Sequence, residues 1–254
     1  MLRIHVLTCF PEILTSPLQE SILKRAQEKG LVRVEVHDLR QFTTDRHRTT
    51  DDDPYGGGPG MIMKAEPLVH GLEQLRAEAP DLFTILTCPQ GHLFTQRRAR
   101  ELACKDALLL ICGRYGGVDD RVRAYVDEEI SIGDYVLSGG ELATLVMMDA
   151  IIRLRPGVLG NEASVHHDSF VESLLDAPQY TRPQEFRGHL VPEVLLSGNH
   201  QQIRRWRRRE ALRRTLQRRP ELLQGTALSR EDQALLQELQ SLTPSHGAGP
   251  EDTL

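Results

Sequence analysis

The sequence predicts an α/β domain built on a mainly parallel sheet, followed by a small all-α C-terminal domain. Three observations carry this. Strand-like and helix-like stretches alternate along residues 2–155. The runs FTILTCP (83–89) and ALLLICG (107–113) are apolar without alternation, as strands covered by helices on both faces must be. Beyond Arg155 the alternation stops, and after a polar stretch only helical patterns return.

LRIHVLTCF (2–10) alternates and then turns apolar, which predicts a first strand. Residues 12–29 have helical spacing, with a break expected near Pro17. VRVEVHDL (32–39) alternates cleanly as a second strand. The segment 41–60, QFTTDRHRTTDDDPYGGGPG, is polar, glycine-rich and too long for a plain connector. Leu68, Leu72 and Leu75 mark a helix over 65–79. A basic helix over 95–105 and a short helix over 119–126 flank the strand at 107–113. EEISIGDYVL reads as a last strand and ELATLVMMDAIIRLR (141–155) as a strongly apolar helix. Residues 156–183 show no period, 193–240 read as helices, and SLTPSHGAGPEDTL reads as a disordered tail.

The chain has 254 residues, and no apolar run is long enough to span a bilayer. No small-residue cleavage site follows the first strand, so no secretory leader is expected. The four cysteines, Cys9, Cys88, Cys104 and Cys112, lack CxxC spacing. Free, buried thiols in a reducing cytoplasm are expected, with neither a zinc site nor a disulfide framework. The net charge is −5, yet residues 201–220 carry nine arginines and one glutamate, leaving −13 on the rest. A solvated helix face normally mixes signs, and this one does not, so contact with nucleic acid is expected there.

In parallel sheets ligands bind outside the carboxyl ends of strands. TCPQG (87–91), CGRYGG (112–117) and SIGDYVLSGG (131–140) should all lie at that edge, and all carry glycine. Their side chains are mostly small or apolar, so backbone groups would do most of the bonding. That suits a flat, partly apolar ligand such as adenine better than a triphosphate. A tight turn before a helix is the plain alternative for Gly139 and Gly140. PYGGGPGM (54–61) is neither a P-loop nor GxGxxG, and rigid turn and ligand loop stand level there. By themselves Arg153 reads as a snorkelling side chain and Asp168 as a turn or cap residue.

DRHRTTDDDPYGGGPGM, LTCPQG, LLLICGRYGGVDDRV, EEISIGDYVLSGGEL, RPGVLGNEAS, DSFVESLLDAPQYTRP and VPEVLLSGNHQQIRRWRRRE closely resemble, in order, the bacterial tRNA (guanine-N1)-methyltransferase family TrmD. The resemblance runs over about residues 1–240. It implies methyl transfer from S-adenosylmethionine to N1 of guanosine 37 of tRNA when G precedes it. It implies a SPOUT fold, a sheet with a deep trefoil knot, in a cytoplasmic homodimer whose active site lies at the interface. It implies a methyltransferase domain at 1–160, an interdomain lid at 161–175, a helical tRNA-binding domain at 176–240 and a disordered tail at 241–254. Asp168 matches the general base and Arg153 the electrophilic arginine. Pro89, Gly113, Ile132, Gly133, Asp134, Tyr135, Val136, Leu137, Gly139 and Gly140 match the cofactor pocket. Arg204, Arg205, Arg207, Arg208 and Arg209 would contact tRNA. Gly116 stands where the family usually has glutamate, which puts a Mg²⁺ requirement in doubt. A related knotted RNA methyltransferase and a non-catalytic RNA-binding module are the rival readings.

Overall fold

The computed structural model describes residues 1–160, 168–224 and 226–242. The chain divides into two compact units, Met1–Glu162 and Ala163–Leu254. No helix among the described residues is long and apolar enough to cross a membrane.

Unit 1 begins with β1 (Leu2–Thr8), α1 (Glu12–Leu18), α2 (Ser21–Glu28) and β2 (Val32–Asp38). Pro17 lies inside α1, and the break falls just after it, at residues 19–20. A two-residue pair, β3 (Asp51–Asp52) with β4 (Ile62–Met63), brackets the glycine-rich loop, and α3 (Ala65–Glu78) follows. Then come β5 (Phe83–Leu93), α4 (Gln96–Ala103), β6 (Ala107–Cys112), a 3₁₀ helix (Asp120–Tyr125), β7 (Glu128–Ser131) and α5 (Gly140–Ile152). The sheet order is β2-β1-β6-β5-β7, and every pairing is parallel.

The apolar pattern explains the layering. In the central strand β6, Leu108, Leu110 and Cys112 join one core cluster and Ala107, Leu109 and Ile111 the other. One core lies against α1, α2, α4 and α5, the other against α3. A strand buried on both faces cannot alternate polar with apolar, so β6 reads as an unbroken apolar run. α5 is apolar nearly all round: Met147, Met148, Ile151 and Ile152 are buried in the core. Its Leu142 and Val146, one turn apart, remain 52% and 51% exposed.

Three expectations need correction. The last strand ends at Ser131, and Ile132–Leu137 is loop. Gly133 takes φ +151°, and its N–H donates to the Ser131 hydroxyl at 3.2 Å, so the chain turns out of the ladder despite its strand-like composition. TCPQG is not the end of a strand but an excursion within a longer one: Thr87 and His92 both pair with Ile130, and the residues between bulge out. Cysteine burial is partial, since Cys9 and Cys112 are buried, Cys88 is half-buried and Cys104 is exposed.

Unit 2 is not all-α as expected: a short hairpin of β8 (Glu185–Phe186) and β9 (His189–Leu190) precedes α6 (Glu193–Leu196), α7 (His200–Arg218) and α8 (Arg230–Leu242). Its core joins Leu174, Leu212, Leu235 and Leu239. α8 runs two residues into the segment expected to be tail, and residues 243–254 lie outside the described ones. So do residues 161–167 of the expected lid.

At the start of α5 the backbone passes very close to its neighbours. A Cβ on Gly140 would meet Thr87 Oγ1 at 2.0 Å, Cys112 Cα at 2.9 Å and the Gly113 nitrogen at 3.0 Å. Two of these are backbone atoms and cannot step aside. Gly140→Ala should therefore destabilise unit 1 by at least about 2 kcal/mol in urea unfolding. Gly160→Ala, which faces open space, should stay within about 0.5 kcal/mol. Equal stability of the two variants would show that the crossing is not tight.

Candidate functional site

Because all five strands run the same way, the excursion at 87–91 and the loops at 112–117 and 131–140 gather at one edge of the sheet. They enclose a cavity of about 430 Å³, within the range of small-ligand sites. Pro89, Gly113 and the positions named between Ile132 and Gly140 line it, Asp134 excepted. The walls mix backbone polar groups with the apolar side chains of Ile132, Val136, Leu137 and Ala143.

A buried ion pair ties two of these loops together. Arg114 Nη1 donates to the Ser138 carbonyl at 3.1 Å, and Arg114 Nε lies 3.7 Å from Glu141 Oε1. Glu141 is 2% exposed and accepts a hydrogen bond from the Thr8 hydroxyl at 2.8 Å. The Arg114 guanidinium lies 4.0 Å over the Phe10 ring. The Gly140 N–H donates to the Gly113 carbonyl at 2.8 Å. A second arginine braces the mouth: Arg123 Nη2 donates to Gln90 Oε1 at 2.9 Å, while the same guanidinium pairs with Asp120 and Glu129. Neither role is legible locally, because Glu141 lies 27 residues from Arg114 and Gln90 lies 33 residues from Arg123.

The glycine-rich loop joins this edge through its exit. The Met61 carbonyl accepts from the Gly116 N–H at 2.8 Å, and the Met63 carbonyl accepts from the Asp119 N–H at 2.9 Å. The loop itself is exposed, Tyr55 completely so. Arg121 holds the Asp119 carboxyl below its ordinary range through a hydrogen bond from its side chain. Full burial pushes the Cys112 thiol up to about 12, so it supplies no thiolate nucleophile at neutral pH.

Arg153 closes α5 as its C-cap residue and is half-buried. Asp168 is also half-buried, in a turn at the start of the described part of unit 2. The two belong to different units.

α7 divides its arginines by face. Arg208 grips Asp232 with two hydrogen bonds, 2.7 and 2.9 Å, and reaches Glu172 at 2.6 Å. Arg205 lies 3.8 Å from Glu231, and Arg209 lies 3.7 Å from Glu238. Arg213 pairs with Glu210 at 2.6 Å. Arg204, Arg207, Arg214 and Arg218 make no ion pair among the described residues. At 100° per residue these four fall within an arc of roughly 80°. Arg214 and Arg218 share the arc of Arg204 and Arg207 although they lie outside the densest part of the run. Trp206 packs beside Tyr180, ring centroids 6.4 Å apart.

Asp232 also caps α8: it accepts from the Ser229 N–H at 3.0 Å, and its own N–H donates to the Ser229 hydroxyl at 3.1 Å. Its pKa is held down to about 2, chiefly by Arg208. A depressed carboxyl pKa stabilises the fold fully above the unfolded value near 4 and loses that contribution as pH falls through about 2. Arg208→Ala leaves a buried carboxylate without its cation and should cost about 3 kcal/mol at pH 7. The gap between wild type and variant should narrow steadily below pH 4 in denaturant titrations. A gap independent of pH would remove Asp232 from the account.

The family model described as tRNA (Guanine-1)-methyltransferase TrmD matches residues 2–225 of the chain. Curated tRNA (guanine-N(1)-)-methyltransferases align over almost all of it. That of Dictyoglomus turgidum is 54% identical over 94% of this chain and 97% of its own length. That of Geotalea uraniireducens is 54% identical over 97% and 100%, and that of Geobacillus kaustophilus 52% identical over 93% and 98%.

Proposed function

The chain belongs to the tRNA (guanine-1)-methyltransferase TrmD family, and from that premise we propose that it transfers methyl from S-adenosylmethionine to N1 of guanosine 37 in tRNA, where G precedes the target. The observation that carries the reading is the glycine-lined cavity between the excursion within β5 and the loops that follow β6 and β7, assembled from the same segments that resemble the family. Its size and its mixture of backbone groups with apolar side chains suit an adenosine joined to a short amino acid. S-adenosylmethionine supplies a methyl group on a sulfonium, whose thioether leaves readily.

Neutral guanine holds a proton on N1 and is a poor nucleophile there. Asp168 takes that proton as general base. Negative charge then develops on O6, and Arg153 donates hydrogen bonds to it. Gly133 lets the backbone bend around the ligand, and the Arg114–Glu141 pair holds the Ser138 wall in place before the ligand arrives. The carboxylates at the mouth, Asp119 and Asp120, are engaged by Arg121 and Arg123, and Gly116 offers none. These residues do not build a Mg²⁺ site, and no step runs through that ion.

The exposed Leu142 and Val146 of a helix whose opposite face is buried in the core support a homodimer, since exposed apolar side chains one turn apart need a cover. A trefoil knot is part of the same reading. After the edge strand β7 the chain passes close against Thr87 of β5 and the end of β6, where Gly140 leaves no room for a side chain. Knots are rare enough that this crossing needs the family premise to be entertained. Residues 161–175 would act as a lid and the helical unit as the tRNA-binding domain, in the cytoplasm.

Asp168→Asn should bind S-adenosylhomocysteine nearly as wild type does and slow single-turnover methylation by about a hundredfold or more. Nucleoside mass mapping of treated tRNA should find 1-methylguanosine at position 37 alone. A wild-type rate in the variant removes Asp168 from the chemistry, and a different methylated base overturns the substrate.

The open face of α7 should meet RNA phosphates. Arg204→Ala/Arg207→Ala should weaken tRNA binding and lower the slope of log affinity against log salt by at most about two. Arg205→Ala/Arg209→Ala should change that slope less, because those cations already face carboxylates. The reverse order would put the RNA on the other face.

A further inference from the structure

The edge pair β1–β2 carries a group that methyl transfer leaves unused. Register sets His5 directly opposite Glu35, and His37 stands two residues farther along β2. Side chains of one parity share one face of a sheet, so the three emerge together. They lie on the face of Leu7, away from that of Ile4 and Val6. His5 Nδ1 is 3.0 Å from His37 Nε2 and 3.9 Å from Glu35 Oε2. All three ligand atoms fall within 4.8 Å of one another. His5 is 7% exposed, and its two companions are half-buried.

We propose that His5, Glu35 and His37 form a binding site for a divalent transition-metal ion of the zinc class. Two imidazole nitrogens and one carboxylate oxygen are a donor set that Zn²⁺ accepts, with a fourth position left for water. Both rings must be neutral to ligate. Burial holds both below the ordinary histidine pKa, against the pull of Glu35 and Glu78 and with the help of Arg3 and Arg33 at His5. Glu35 is oriented from behind: Arg33 Nε lies 2.5 Å from Oε1, which leaves Oε2 toward the histidines. Such support is what fixes a carboxylate ligand.

The two rings share one N–H···N hydrogen bond. On metal binding the donor ring passes that proton through water to its other nitrogen, and both lone pairs turn to the ion. No proton is gained or lost by the pair. The ion would clip the sheet's edge strand β2 to β1. β2 is the edge opposite β7, so the site stands apart from the cavity and does not depend on the methyl-transfer reading.

The test uses the full chain stripped with chelator and titrated with Zn²⁺, then with Co²⁺. One ion should bind per chain, Co²⁺ should give the visible bands of a four-coordinate nitrogen–oxygen site, and the His5 and His37 ring resonances should move. His37→Ala and Glu35→Gln should each weaken Zn²⁺ about tenfold or more, with S-adenosylhomocysteine affinity unchanged. Should His37→Ala fail to fold, Glu35→Gln alone decides, since it keeps the side-chain shape. Absence of stoichiometric binding, or affinity unaltered in the folded variants, overturns the proposal.

Discussion

Between Thr87, within β5, and the end of β6 there is room for a backbone and nothing more. Gly140 occupies that room, its N–H bound to the Gly113 carbonyl, with Thr87 and Cys112 pressed against the place a side chain would fill. Much follows from this contact. It fixes where α5 starts, and therefore where Glu141 points. Glu141, buried, must find a cation, and Arg114 supplies it from the neighbouring loop. Arg114 in turn holds the Ser138 carbonyl and lies over Phe10. One close approach thus sets two walls of the cavity before any ligand is present, which is what preorganisation of a binding site requires.

Unit 2 solves a different problem. A helix with so many arginines would repel itself if all were left in solvent. Part of that charge is neutralised by Asp232, Glu172 and Glu238 and used to fasten helices together. The rest stays on one arc of α7. Among the described residues, the cations that meet carboxylates and those that do not are thereby separated by helical phase rather than by sequence distance.

The sequence revealed the sheet because burial on both faces leaves an unmistakable run in ALLLIC, and because Leu2, Ile4 and Val6 alternate in β1. It revealed the cavity's residues because glycines clustered after consecutive strands. What it hid depends on contacts across distance. The strand-like ISIGDYVL gives no sign that Gly133 takes a positive φ and ends the ladder at Ser131. Nothing local announces that Arg114 and Arg123 meet Glu141 and Gln90. Glu35 and His37 share a face by parity, which is legible, but that His5 of the next strand joins them, 3.0 Å from His37, depends on register, which is not.

Asp232 serves two helices with one carboxylate: it starts α8 and anchors Arg208 of α7. The acids on α8 are therefore more than an outer layer. A chain shortened before Ser229 would keep the arginines of α7 and lose Glu231, Asp232 and Glu238. The arc that is now balanced would turn cationic, and α7 would become indiscriminate, attracting any polyanion on either side. In this sense the last helix acts as insulation: its acids offset the charge on one arc of α7 and leave the uncompensated positive charge on the other.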